Sequence, residues 1–86
     1  MNDQTRHRLI KGREHYENHE FLQAEALLTQ VVQDDNDFAD VYNMLGVIYH
    51  DQGRFRQAQT SFERALEINP AYTEAALNLA VTYNEL

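Results

Sequence analysis

Slid against itself by 34 positions, the 86-residue chain lays like residues on like. Gly12 falls on Gly46, Phe21 on Phe55, Gln23 on Gln57 and Ala24 on Ala58. Leu28 meets Phe62, Val31 meets Ala65 and Phe38 meets Tyr72. Further on, Leu45 falls on Leu79, Val47 on Val81 and Tyr49 on Tyr83. A period of this length is one supersecondary unit that cannot bury its apolar side alone, so neighbouring copies stack. The length allows one small domain, 1–86, holding two periods and part of a third.

Inside each period the apolar spacing is helical. Phe38, Val41, Tyr42, Leu45 and Tyr49 fall on one helix face. Phe55, Ala58, Phe62, Ala65 and Leu66 make a second face, and Phe21, Ala24, Leu28, Val31 and Val32 repeat its offsets. Ala75, Ala76, Leu79, Ala80 and Tyr83 make a fourth. Between Thr5 and Asn18 the pattern is weaker, because Lys11 and His15 interrupt Leu9, Ile10 and Tyr16; an irregular first helix is expected. Gly53 stands where a helix stops in the left-handed conformation. Asp34, Asp35, Asn36 and Asp37 offer caps for the helix before Tyr42. Asn69-Pro70 reads as a cap followed by proline at the first helical position. Nothing alternates as a strand does. The expectation is an all-α chain of five short helices with antiparallel neighbours.

The period and its residues resemble the tetratricopeptide repeat family. The likeness is strongest over 39–72, where Tyr42, Leu45, Gly46, Tyr49, Gly53, Phe55, Ala58, Phe62, Ala65 and Pro70 stand at the family's spacings. Residues 5–38 form a more divergent repeat, with Arg8 and Lys11 at usually apolar positions, His15 for Tyr and Asn36 for Pro. Residues 73–86 supply the first helix of a third. The resemblance implies an α–α superhelix of about two and a half repeats. It also implies a protein–protein interaction module whose first helices line a concave groove.

Carried over residue by residue, that groove takes Leu9, Arg13 and Tyr16 from the first repeat. The second supplies Asp40, Asn43, Met44, Val47, His50 and Asp51. The third supplies Glu74, Leu77, Asn78 and Val81. Asn43 is the leading candidate, since an amide can pair with a partner's backbone as both donor and acceptor. Leu9, Met44, Val47 and Val81 form an apolar stripe edged by carboxylates. This suits a peptide or helix with apolar anchors and basic flanks. Some relatives clamp a terminal carboxylate with lysines, asparagines and an arginine. The matching positions here are Leu9, Arg13, Met44, Glu74 and Asn78; only Arg13 is basic and Glu74 repels an anion, so that mode is not expected.

Charge supports a protein partner over a nucleic acid. Seven Lys and Arg face fourteen Asp and Glu, a net charge of −7, whereas phosphate backbones are bound largely through basic residues. Four of the seven cluster as Arg6, Arg8, Lys11 and Arg13, and none lies between Glu14 and Gly53. No apolar run approaches the ~20 residues of a membrane span, so the chain reads as soluble; its sequence does not name a compartment, and the cytoplasm is the expectation. The absence of cysteine removes disulfides, zinc–thiolate sites and thiol catalysis. His15 and His19 stand four apart beside Glu14 but lack a third ligand. No Gly-rich phosphate loop occurs, and Ser61, the only serine, belongs to a packing helix. These residues imply neither an enzyme nor a cofactor or metal.

In the family, the side of the last helix that carries Leu79 and Tyr83 receives a following helix. Exposing such side chains forgoes about 1.5–3 kcal/mol each. Leu79, Tyr83 and Leu86 are therefore expected to meet a second copy, giving a homo-oligomer, or to continue into a longer repeat array.

Overall fold

The structure, a computed structural model, describes residues 1–34 and 37–86. Five helices follow one another: α1 (Asp3–Glu17), α2 (Phe21–Gln33), α3 (Ala39–Asp51), α4 (Phe55–Ile68) and α5 (Thr73–Tyr83). No strand occurs among the described residues, so the fold is the all-α helical array expected. The chain divides into two compact units, Met1–Asp37 and Phe38–Leu86.

The first unit pairs α1 with α2. Here the irregular first helix expected from Lys11 and His15 is not what forms: α1 is a regular helix of 15 residues. Asn2 caps it, its Oδ1 accepting from the Thr5 backbone N–H at 2.7 Å, and Asp3 lies in the first turn, where the helix dipole favours an acid. Thr5 is itself buried and donates its hydroxyl to Asp34 Oδ2 at 2.9 Å. Lys11 and His15 cause no break because their side chains lie outside the seam. Lys11 pairs with Glu14, and His15 Nδ1 donates to Glu20 at 3.0 Å. The seam is instead Gly12 against Leu28, with Ala24, Leu28 and Val31 fully buried.

The turn between α1 and α2 recurs bond for bond between α3 and α4. Glu20 N–H donates to His15 C=O and His19 N–H to Tyr16 C=O; Arg54 donates to Tyr49 and Gly53 to His50. These two bonds, closing around one left-handed residue, are a Schellman motif. The left-handed residue is His19 in the first turn (φ +59°) and Gly53 in the second (φ +74°).

The second unit packs α4 against both α3 and α5. Its core is Val41, Leu45, Ile48, Ala58, Phe62, Ala65 and Ala75. Gly46 admits the Phe62 ring so closely that a Cβ there would lie 2.4 Å from it. Burying that ring is worth about 1.5–3 kcal/mol. Two expected caps are replaced by other roles. Pro70 is not the first residue of α5. It follows Asn69 in a turn closed by Tyr72 N–H to Asn69 C=O at 3.1 Å, and Asn69 Oδ1 accepts from Ala71 N–H. Proline suits that place because its φ is already set for the second position of a turn. The residue preceding α3 is Phe38, with no side-chain cap bond. Asp34 serves at the end of α2, and Asp35 and Asn36 lie outside the described residues.

Candidate functional site

Along α3, the positions Asp40, Asn43, Met44, Val47, His50 and Asp51 share one side of the helix by their spacing. On α5, Glu74, Leu77, Asn78 and Val81 do the same. The structure brings only some of them together. Val47, His50, Asp51, Asn78 and Val81, with Phe62 beneath, line a pocket of about 270 Å³ between α3 and α5. Asp40, Met44, Glu74 and Leu77 are not in its wall. Leu77 is 64% exposed, Glu74 is exposed, Asp40 is half-buried and Met44 is buried. In the first unit, Leu9 is half-buried, Arg13 is exposed, and the half-buried Tyr16 ring lies 5.7 Å from Phe21.

Asn43, the leading candidate, is buried to 3% exposure, and its Oδ1 accepts from Asn78 Nδ2 at 3.1 Å. Its carbonyl therefore accepts one bond from within the protein. This follows from its position: a residue two places after Val41 and two before Leu45 is drawn into the same helix contact.

A residue that the sequence did not single out completes the seam. Thr82 is fully buried and donates its hydroxyl to the Asn78 carbonyl at 2.9 Å. His50 Nδ1 lies 3.0 Å from the same hydroxyl oxygen, and the His50 ring stands edge-on to Phe55 at 5.0 Å. Thr82 sits 34 residues after Ile48, which is also fully buried. The repeat offset was thus the signal for it. Asn43, Asn78, Thr82 and His50 form a hydrogen-bonded polar seam between α3 and α5. No buried side-chain polar atom is left without a partner among the described residues.

On the other side of α5, Leu79 is half-buried, while Tyr83 and Leu86 are 49% and 50% exposed. Tyr83 donates its hydroxyl to Glu63 Oε2 at 3.4 Å. Partial burial of the phenol, then the Glu63 carboxylate, holds its ionisation above the usual tyrosine value.

Antiparallel helix pairs that recur with a 34-residue period define an α-helical repeat protein. Two descriptions of the tetratricopeptide repeat match, one over residues 11–55 and one over 39–72. The chain belongs to the tetratricopeptide repeat family, whose repeats generally mediate protein–protein interaction. It is 48% identical over 48 residues to the uncharacterized protein ycf37 of Pyropia yezoensis, a match covering 56% of this chain and 27% of that protein. It is 36% identical over 66 residues to the tetratricopeptide repeat domain-containing protein PYG7, chloroplastic, of Arabidopsis thaliana, covering 72% of this chain and 22% of that one. A third similarity, 47% over 36 residues, is to the probable UDP-N-acetylglucosamine–peptide N-acetylglucosaminyltransferase SPINDLY of Solanum lycopersicum, covering 42% of this chain and 4% of the transferase. The chain thus spans about a quarter of the ycf37 and PYG7 relatives. No helix among the described residues is long and apolar enough to cross a membrane.

Proposed function

We propose that the chain is a non-enzymatic binding module that takes a segment of a partner protein along α3 and α5. The pocket between these helices carries the reading. It has apolar walls in Val47 and Val81, a rigid floor in Phe62 and hydrogen-bonding groups at its rim. A site of this kind seats a side-chain anchor while the rest of a peptide lies across the helices. Likeness to SPINDLY does not argue for transferase activity, since the shared segment is 4% of that protein. A cytoplasmic location gains no support from the relatives, because PYG7 is named as chloroplastic.

Selection of a random peptide library displayed on phage tests the module. The chain should enrich peptides that carry an apolar anchor beside Lys or Arg. Val81→Asp should abolish the enrichment, and Val81 is 54% exposed, so the change leaves the core alone. No enrichment, or equal enrichment by the variant, overturns the reading.

A second reading has its own observation. Ala76, Ala80 and Tyr83 form an exposed stripe on α5 that continues to Leu86. In this reading the chain assembles with copies of itself through Leu79, Tyr83 and Leu86.

A further inference from the structure

We propose that the α3–α5 pocket receives one basic side chain of a partner peptide, its cation held between the Nε2 of His50 and the carboxylate of Asp51. The inference rests on the peptide-binding reading above and names what the pocket recognises.

The argument starts from a single hydrogen atom. The Asn78 backbone carbonyl can only accept, so the Thr82 hydroxyl spends its hydrogen there, at 2.9 Å. Towards His50 the same oxygen can then only accept. His50 must supply the hydrogen of that 3.0 Å bond from Nδ1. A neutral imidazole carries one N–H, so Nε2 is left with a bare lone pair. Thr82 cannot turn away to relax this arrangement, because it is fully buried in the seam. The ring is steadied further by the edge-on contact with Phe55.

That lone pair faces no protein donor among the described residues, and it is not buried, since every buried side-chain polar atom has a partner. His50 and the exposed Asp51 both line the pocket, and Asp51 makes no ion pair among the described residues. Two residues that carry hydrogen-bond acceptors, one of them anionic, thus line the pocket together with the apolar Val47 and Val81. A ligand that matches has an aliphatic stem and a hydrogen-bond-donating cationic head. Lysine and arginine side chains have that form, burying their methylenes on apolar surface while the head finds polar partners. At about 270 Å³ the pocket falls just below the ~300–1,000 Å³ of small-molecule sites, a size for a single side chain. The net charge of −7 draws such a peptide in from a distance.

The test is an NMR titration of the intact chain with two peptides, acetyl-Ala-Leu-Ala-Lys-Ala-amide and the same peptide with norleucine for lysine. Norleucine keeps the stem and removes the charge. The lysine peptide should bind about ten-fold more tightly, the scale of one charge-assisted hydrogen bond. It should shift the Val47 and Val81 methyl signals and the His50 Nε2 signal. Asp51→Asn, at an exposed position, should erase most of the preference while the backbone spectrum stays native. The ¹⁵N signals of the free protein should place the imidazole hydrogen on Nδ1. A hydrogen on Nε2 overturns the proposal, because the ring would then present a donor to a donor. Equal binding of the two peptides also overturns it, while leaving the pocket as an apolar groove and the wider reading intact. Binding of neither peptide overturns it as well, and the wider reading is then decided by the phage selection alone.

Discussion

His19 holds φ at +59° in the place that Gly53 occupies 34 residues later. The left-handed conformation costs an ordinary L-residue ~1–2 kcal/mol, with histidine and asparagine among the side chains found there more often. His19 also lays its ring 5.3 Å from Phe21, and its backbone N–H closes the turn on Tyr16. A histidine that reads from its spacing as half of a metal pair is therefore accounted for by backbone geometry, and His15 by its bond to Glu20. His19→Asn should leave the stability of the chain within about 0.5 kcal/mol of native. His19→Val, branched at Cβ, should lower it by about 1–2 kcal/mol. Urea denaturation of the two variants reads the difference. A valine variant as stable as the asparagine one would mean that the turn does not need its left-handed residue.

Helix pairing depends on glycines that let two helices touch, and the two repeats are unequal in this respect. A Cβ on Gly46 would sit 2.4–2.7 Å from three atoms of the Phe62 ring, whereas one on Gly12 would meet chiefly the end of the Leu28 side chain. A leucine can change rotamer, but a flat ring held on all sides cannot. Gly46→Ala should therefore cost about 1–3 kcal/mol, even after the helix-propensity gain of alanine, while Gly12→Ala should cost less than half as much. Thermal denaturation of both variants checks the order, and equal midpoints would contradict this account of the α3–α4 crossing. The same elements show how far periodicity reads a fold. Apolar spacing marks the five helices and Gly53 marks the end of α3, whereas the regularity of α1 and the left-handed turn at His19 are not legible, because polar residues interrupt the pattern there and a histidine does not announce positive φ. Spacing is also less sufficient where a residue's chemistry departs from its repeat position. Thr82 stands in the place of Ile48 and is equally buried, yet a hydroxyl does not register as core in an apolar pattern. Asn43 has the spacing of a groove residue, but only three-dimensional contact shows that it is buried and that its oxygen accepts from Asn78. Pro70 failed as a helix start because Asn69 builds a turn with its own side chain first.

For the whole molecule, the sign of a salt effect separates the ways in which copies of this chain could meet. Each copy carries a net charge of −7, so association through the apolar side of α5 works against mutual repulsion, which salt screens within ~10 Å at 0.1 M. Docking of the basic stretch Arg6–Arg13 on the acidic surface of a second copy would respond in the opposite sense. Self-assembly through Leu79, Tyr83 and Leu86 thus predicts a mass that rises with concentration and rises more readily at high salt. Tyr83→Glu and Leu86→Glu, both at half-exposed positions, should return the chain to monomer without unfolding it. Equilibrium sedimentation at low and high salt measures this directly. Association that weakens with salt would transfer the contact to the basic N-terminal stretch. A monomer at high micromolar concentration in both conditions would eliminate self-assembly and leave α3 and α5 free to engage a different protein.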